Sequence, residues 1–407
     1  MNTPDTGNVD TIDGGITAAE GFRAAAVSCG IKTDALDLAL IVSDVSASAA
    51  GVFTTNRTVA APVIVCKEHL ERSRGIVRAL AVNSGCANAC TGPAGLAASR
   101  QMAEAVAAAV TCPVEQALVA STGVIGLPLE VEKIRSGITT AAGKLDRSSN
   151  RAAAVAIMTT DPAPKETAVR IRVPAGSFVV GGMVKGSGMI EPRMATMLGF
   201  LTTDVSIDPV RLRQALVSVT DETFNAITVD GECSTNDSVF LVANGASGVE
   251  VDETVYPLFV AGLKHVCSAL AREIVRGGEG ATKLVTIHVT GAGTPSDAKR
   301  AARAIANSPL VKTAIHGGDP NWGRLVAVAG RAGVAFEPSR ASVRIGPAVL
   351  YEHDTIWADR EPEAAHHMLG REIEVEVNLG TDGEADATVW TCDLSAEYVR
   401  INADYRT

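Results

Sequence analysis

Short apolar runs that are typical of β-strands alternate with segments of helical periodicity along most of this 407-residue chain. Strands are predicted over residues 38–45, 75–82 and 116–121. An alanine-rich helix over residues 93–110 places its larger apolar side chains largely on one face. This alternation is typical of α/β and α+β proteins, in which a sheet and its helices share one core. A mixed α/β fold is therefore expected.

Three further helices are marked by signals at their ends. Residues 151–158 have the pattern of a helix that stops at a Thr-Thr-Asp-Pro sequence. Asp208 and Pro209 supply an N-cap acceptor and a proline at the first helical position of the second. An apolar stripe predicts a long third helix over residues 256–276, which two glycines end.

A smaller C-terminal α/β domain is predicted to follow. It begins with a strand over residues 284–290 and a helix over residues 297–306. Later strands, including one over residues 372–378, are expected to complete it, with a structural turn at residues 319–324. No repeat, low-complexity tract or proline-rich linker marks a division, so the boundary near residue 285 is drawn from the predicted elements alone.

Composition argues against several classes of function. With 46 acidic against 36 basic side chains, the net charge is −10, which does not suit binding to nucleic acid or to an anionic membrane. Eight cysteines with no C-x-x-C pair indicate a reducing compartment rather than a disulfide framework. Residues 1–13 lack the pattern of a signal peptide, and no apolar run is long enough for a membrane span. A cytoplasmic protein is expected.

Familiar cofactor and metal motifs are absent from the sequence. It contains no G-x-x-x-x-G-K-[ST] loop, no G-x-G-x-x-G after a strand, no G-x-S-x-G and no H-E-x-x-H. The seven histidines are scattered apart from the pair His366-His367, which is predicted to lie on a surface helix. His316 is expected to make a structural hydrogen bond. We therefore expect neither a metal ion nor a bound cofactor.

The densest unusual stretch is residues 181–200, and the residues alone allow two interpretations of it. Glycines before Glu191 permit close approach of the backbone to another group, and Lys185 among them could hold a carboxylate. In the first interpretation this is a glycine-rich loop that leads into a buried strand over residues 197–201, with Thr196 at the edge of the strand.

In the second interpretation Thr196 is an N-terminal nucleophile. A threonine hydroxyl is a weak nucleophile unless a base lies beside it, and the free α-amine of the same residue can serve as that base. The amine exists only if the chain is cut before Thr196. The small side chain of Ala195 leaves the scissile carbonyl open to attack by the hydroxyl. An N-to-O acyl shift followed by hydrolysis would then free the new terminus.

This stretch resembles the self-cleavage site of the glutamate N-acetyltransferase family, also called ornithine acetyltransferases. The family pattern is a Lys-Gly-small-Gly-Met run followed by Met-Ala-Thr-Met-Leu, and it is found here at residues 185–189 and 194–198. The resemblance spans essentially the whole chain, and further blocks fit in the same order: residues 120–126, 157–161, 230–237, 278–283, 307–314 and 398–407. Several separate blocks in one order are far more specific than a single motif.

The resemblance implies a fold and a processing event. The fold would be α/β, with layered sheets between helices in a larger domain (residues 1–285) and a smaller C-terminal α/β domain (residues 286–407). Family members cut themselves before the threonine, in the manner of N-terminal-nucleophile proteins. Here that would give an α chain of residues 1–195 and a β chain of residues 196–407. An assembly of two α and two β chains is expected.

The reaction that the resemblance implies is ping-pong acetyl transfer. Freed Thr196 would attack the acetyl carbonyl of N2-acetyl-ornithine, with its own amine as general base, and glutamate would then take the acetyl group from the ester. The Thr122 hydroxyl and the Gly123 N–H match the family's oxyanion-hole donors. The sequence leaves open whether acetyl-CoA is a second donor, which would add N-acetylglutamate synthase activity.

The resemblance also implies the substrate contacts. Both substrates carry an α-carboxylate, with which the Lys185 ammonium group is suited to pair. Glu279 matches the position of the carboxylate that receives the side-chain ammonium of ornithine. Thr159, Asn402 and Thr407 match the family's remaining contacts, as neutral hydrogen-bonding groups.

Two other functions remain open at this level. An N-terminal-threonine hydrolase, such as an amidase or aminopeptidase, would release free acetate in place of acetylglutamate. A scaffold protein that kept the fold would remain uncut. Lys185 together with Glu279 favours acetyl transfer, because the two side chains suit a zwitterionic amino-acid substrate.

Overall fold

The computed structural model describes residues 8–191 and 197–404. In these two ranges a larger mixed sheet has the strand order β1-β6-β7-β8-β9-β3-β4-β5, with β2 paired beside β3. Its nine strands in this part of the chain are β1 (Val9–Ile12), β2 (Phe22–Val27), β3 (Leu38–Phe53), β4 (Ile76–Cys86), β5 (Ala117–Val124), β6 (Lys165–Val173), β7 (Gly176–Lys185), β8 (Leu198–Thr203) and β9 (Ser238–Ala243). The strands predicted at 38–45, 75–82 and 116–121 correspond to β3, β4 and β5.

The long strand β3 joins the two halves of this sheet. Its first half pairs with β2 and its second half with β9. Its pairing with β4 shifts register between Val42 and Ala47. Strands β8 and β9 are parallel to each other, as are β4 and β5. Strand β3 therefore connects β4 and β5, the strand that carries Thr122 and Gly123, with β9, β8 and β7. Strands β7 and β8 are the ones that precede and follow residues 192–196 in the chain.

Helices cover the sheet in layers. Helix α6 packs on β6 and β7, and α5 packs on β3 and β9. Helix α1 packs on β3 and β5, and α2 packs on β4 and β5. Strand β7 is buried on both faces because alternate side chains enter two cores: Phe178 and Val180 enter one, and Val179 and Met183 the other. The helices of this part are α1 (Ala61–Arg72), α2 (Gly92–Val110), α3 (Val131–Ala142), α4 (Asn150–Ala156), α5 (Pro209–Glu222) and α6 (Tyr256–Arg276). The predicted layered α/β architecture is confirmed.

A second sheet is built from the C-terminal part of the chain. Among the described residues it has six strands in the order β13-β12-β11-β14-β10-β15, with β10 and β14 parallel. Val285, Ile287 and Val289 of β10 face a core that helices α7 to α9 close. The elements are β10 (Leu284–Ala292), α7 (Pro295–Ala306), α8 (Pro309–Gly317), α9 (Trp322–Gly330), β11 (Ser342–Ile345), β12 (Ala348–Glu352), β13 (Thr355–Ile356), α10 (Glu361–Met368), β14 (Glu372–Asn378), β15 (Ala385–Cys392) and α11 (Ala396–Asp404).

The two sheets are tied together at one edge of the second. Thr228 N donates to Trp390 O at 2.9 Å, and Leu284 and Cys392 belong to the same core as α5 and α6. The division into domains at residue 285 stays a prediction. None of the helices in the described ranges combines the length and the apolar character that a membrane crossing needs.

Two elements of the second sheet's helical layer differ from the sequence prediction. Helix α8 was not predicted; it begins at Pro309, because the Ser308 hydroxyl accepts from Val311 N and the proline suits the first turn. The turn expected at residues 319–324 ends early, because the Asn321 side chain caps helix α9. The prediction of a turn over that whole segment was therefore wrong.

Candidate active site

A cleft lies where the ends of β5 and β7 meet the C-terminal helix α11. It brings together residues that are far apart in the sequence: two at the end of β5, the last residue of β7, one after α4, one after α6 and one in α11. All of them are predicted site residues, namely Thr122, Gly123, Lys185, Thr159, Glu279 and Asn402. Their assembly in one cleft is observed, and their roles stay predictions.

The remaining predicted site residues, Ala195, Thr196 and Thr407, lie outside the described residues. The described residues on either side of 192–196 do border the cleft, since Ile190 and Met197 line it. Met197 O accepts from Ser238 N at 3.0 Å, which fixes the downstream side against β9. The described residues on both sides of the predicted cut therefore lie at this cleft.

Lys185 and Thr122 contact each other directly. Lys185 Nζ donates a hydrogen bond to Thr122 Oγ1 at 3.2 Å. An ammonium group can only donate, so this bond uses a lone pair of the hydroxyl and leaves the hydroxyl proton available for another acceptor. A Thr122 hydroxyl oriented in this way can donate to an oxygen in the cleft.

Gly123 is required by the backbone at the end of β5. Its φ is +131°, a conformation that L side chains rarely adopt. A Cβ atom placed there would lie 2.3 Å from the Gly85 carbonyl carbon and 2.6 Å from Cys86 N, both on the neighbouring strand β4. The glycine thus allows β4 and β5 to approach closely at the cleft.

Glu279 lies in the turn after α6 and is 7% exposed. One oxygen of its carboxylate accepts from Asn402 Nδ2 at 2.8 Å, and its backbone N donates to Ser187 O at 2.9 Å. These two contacts fix the carboxylate between β7 and α11. Gly188 is adjacent, and a Cβ on it would lie 2.3 Å from Glu279 Oε2.

The model of the ArgJ family matches residues 23–407. The chain belongs to this family. The resemblance to glutamate N-acetyltransferases predicted from the sequence is confirmed.

Relatives in this family are similar over nearly their whole length. The arginine biosynthesis bifunctional protein ArgJ of Symbiobacterium thermophilum is 44% identical, over 98% of this chain and 100% of the relative. That of Gloeobacter violaceus is 45% identical, over 97% and 98%. The crystal structure of the Bacillus halodurans protein of the same name is 41% identical with a TM-score of 0.50, covering 52% of this chain and 100% of its own.

Sequence reasoning missed a buried ion pair beneath the cleft. Lys165 Nζ lies 2.6 Å from Asp161 Oδ1, and the side chains are 4% and 0% exposed. Burial alone would raise the pKa of Asp161. The charges of Lys185 and Lys165 and the hydrogen bonds from Lys165 and the Gly186 amide outweigh burial and lower the pKa to about 2. Asp161 belongs to the sequence block 157–161 that matched the ArgJ family. That match could have indicated a role for Asp161, but none was predicted.

A second missed residue holds the chain upstream of residues 192–196. The Asp230 carboxylate accepts from Met189 N at 2.7 Å and from Ile190 N at 2.8 Å. Tyr398 donates to the same carboxylate at 3.4 Å, which connects it to α11. Both residues line the cleft and belong to sequence blocks that matched the ArgJ family.

The described part of the chain contains no group of three or more His, Cys, Asp or Glu side chains arranged to hold a metal ion. His316 makes the structural hydrogen bond that was predicted, with its Nδ1 atom 2.7 Å from Asp393 Oδ2. His316 lies near the C-terminal end of helix α8.

Proposed function

We propose that this chain, an acyltransferase of arginine biosynthesis by its family, moves the acetyl group of N2-acetyl-ornithine to glutamate through an acetyl ester of Thr196. The observation that carries the proposal is the cleft itself. Six predicted site residues from separate segments line it, together with Ile190 and Met197 on either side of the predicted cut.

The reaction begins with self-cleavage between Ala195 and Thr196. The freed α-amine of Thr196 removes the proton from its own hydroxyl, which attacks the acetyl carbonyl of N2-acetyl-ornithine. The carbonyl carbon becomes tetrahedral, ornithine leaves with the proton, and the acetyl group remains on Thr196. The amine of glutamate then attacks this ester. The bond between the acetyl carbon and the Thr196 oxygen breaks, a proton from the attacking amine returns to that oxygen, and N-acetylglutamate leaves.

The negative charge that develops on the carbonyl oxygen needs donors. Thr122 and the Gly123 N–H are proposed to supply them. The hydrogen bond from Lys185 to Thr122 supports this role, because it leaves the hydroxyl proton free to point at the oxyanion. Each such donor stabilises the transition state by about 3 kcal/mol.

Among the side chains that line the cleft, one cationic and one anionic group suit the two charges of a zwitterionic substrate. Lys185 is proposed to pair with the α-carboxylate and Glu279 with the side-chain ammonium of ornithine, while Thr159, Asn402 and Thr407 add neutral hydrogen bonds. We further propose a cytoplasmic assembly of two α and two β chains that needs no resident cofactor. Acetyl-CoA as a second acetyl donor would make the enzyme bifunctional.

The denatured masses of the wild type and of Thr196→Ala test the first step. We expect two fragments from the wild type, separated between residues 195 and 196, and one intact chain from the variant, because alanine has no hydroxyl for the acyl shift. Thr196→Ser is the matched control and is expected to be cut, since it retains the hydroxyl. An uncut wild type would contradict the mechanism.

Product analysis then separates transfer from hydrolysis. The processed enzyme is incubated with N2-acetyl-ornithine, with and without glutamate. Acetylglutamate that appears only with glutamate supports the proposal. Free acetate formed at the same rate under both conditions would instead identify an N-terminal-threonine amidase.

Gly188→Ala is expected to weaken binding of N2-acetyl-ornithine without unfolding the protein. The new Cβ would lie 2.3 Å from Glu279 Oε2, so the carboxylate must leave its position against Asn402. Losing one well-placed charged hydrogen bond should raise KM roughly tenfold. Gly293→Ala is the control, since a Cβ there meets nothing within 4 Å. Equal KM values for the two variants would contradict the placement of Glu279 at the substrate.

A further inference from the structure

The buried pair of Asp161 and Lys165 connects three segments that carry predicted substrate contacts. Asp161 Oδ1 accepts from Gly186 N at 2.7 Å, directly after Lys185 in the chain. Asp161 Oδ2 accepts from Thr159 N at 3.1 Å. One carboxylate therefore holds the backbone at two substrate-contact positions, one after α4 and one at the end of β7.

Lys165 extends this arrangement to the turn that carries Glu279. A Cβ on Gly277 would lie 3.0 Å from Lys165 Cε and 3.3 Å from its Nζ, so the lysine passes closely beneath the turn. Ser187, two residues after Lys185, joins the end of β7 to the same turn, since its hydroxyl donates to Gly277 O at 2.7 Å. The positions of Lys185 and Glu279 relative to each other thus depend on a few buried polar contacts.

Asp161 also contributes to the electrostatic environment of Lys185. Burial is the largest influence on Lys185 and lowers the pKa of its ammonium group, and Lys165 lowers it further. Asp161 acts in the opposite direction and is the largest favourable charge. The charged groups that interact with Lys185 or lie beside this cluster are Asp161, Lys165, Asp237, Glu279 and Lys32.

We propose that Asp161 is a positioning residue for acetyl transfer: its carboxylate fixes the backbone at Thr159 and Lys185 and supplies the negative charge that keeps the Lys185 ammonium group ready for the substrate carboxylate. This inference rests on the proposed function, which assigns Lys185 to the α-carboxylate. It adds a residue that does not itself touch the substrate. Lys165 is the counter-charge that allows a carboxylate to be buried there.

The sign of the pH effect follows from these charges. Lys185 binds an anion only while it is protonated, so KM for N2-acetyl-ornithine should rise as pH increases through the lowered pKa of Lys185. Removing the positive charge of Lys165 raises that pKa, and removing the negative charge of Asp161 lowers it. The two changes therefore move the rise in KM in opposite directions along the pH axis.

The test compares Lys165→Met with the double variant Asp161→Asn/Lys165→Met in the processed enzyme. Both variants lack the ion pair, so the loss of the pair itself is common to them, whereas only the double variant lacks the carboxylate that accepts from Thr159 N and Gly186 N. We expect the rise in KM to occur at least about one pH unit lower in the double variant than in Lys165→Met. The pH dependence of kcat, which follows the Thr196 amine, should be the same in both.

Lys165→Met also gives an independent result if the double variant does not fold. Its KM is expected to stay low to a higher pH than that of the wild type, because Asp161 remains and a like charge is gone. Coincident KM profiles in Lys165→Met and the wild type, or in the two variants, would overturn the proposal. Failure of the proposed function would be distinguishable, since the wild type would then form no acetylglutamate.

Discussion

Replacing Gly123 with alanine is expected to abolish acetyl transfer and to lower the free energy of unfolding by about 3 kcal/mol or more. The added Cβ would lie 2.3 Å from the Gly85 carbonyl carbon, and the residue would also need φ near +131°. Strand β4 would have to move away from β5. That movement displaces both predicted oxyanion donors, because Thr122 directly precedes Gly123 in β5.

The measurement is urea unfolding together with kcat for N2-acetyl-ornithine. Gly126→Ala is the matched control, since Gly126 also has a positive φ, of +83°, but a Cβ there meets nothing within 4 Å. The free energy of unfolding of the control should fall by only about 1 kcal/mol and its activity should be kept, because the added Cβ causes backbone strain but no steric clash. A stable, active Gly123→Ala variant would show that β4 and β5 do not need this close approach.

Elements with clear end signals were predictable from the sequence. Helix α6 has the predicted bounds, and the Asp208 carboxylate accepts from Val210 N and Arg211 N at the start of α5. Strand β14 also occupies the predicted residues 372–378. In each case the local sequence signal and the burial pattern favour the same element, so tertiary packing does not change the locally preferred structure.

Helices α8 and α9 were missed although their caps are local. Ser308 followed by Pro309, and Asn321 two residues after Asp319, are start signals, but they stand in a segment rich in residues that also favour turns. The chain does turn there, at Gly318 with φ +71°. The turn between α8 and α9 is shorter than predicted, because the Asn321 side chain caps α9 and the helix begins at Trp322.

The residues in and beneath the cleft likewise include some that the sequence predicts and some that it does not. Lys185 and Glu279 could be named because motif blocks resembled a family, and the fold places them at one cleft. Asp161 and Lys165 could not be recognised as a buried pair, since three loop residues separate them and no apolar periodicity around them predicts that they are buried. Burial of a lysine depends on the elements packed around it, and the sequence does not record those neighbours.

Glu279→Gln is expected to change the two half-reactions differently. In the proposed pairing, N2-acetyl-ornithine presents an ammonium group to Glu279, whereas glutamate would present a carboxylate to the same region of the pocket. Neutralising Glu279 should therefore lower kcat/KM for formation of acetyl-Thr196 roughly 10- to 100-fold, the value of one charged hydrogen bond. KM for glutamate should stay the same or fall, because a like charge has been removed.

Single-turnover measurements separate the two steps: mass spectrometry follows acetylation of Thr196, and glutamate then discharges the ester. Glu232→Gln is the control, because Glu232 also lines the cleft but is exposed. Equal losses in both half-reactions would contradict the pairing of Glu279 with the ornithine side chain. A pocket that serves both substrates must compromise between opposite side-chain charges, while Lys185 can serve the α-carboxylate that the substrates share. The charge at Glu279 should therefore determine which substrate binds more tightly, and the charge at Lys185 should affect both equally.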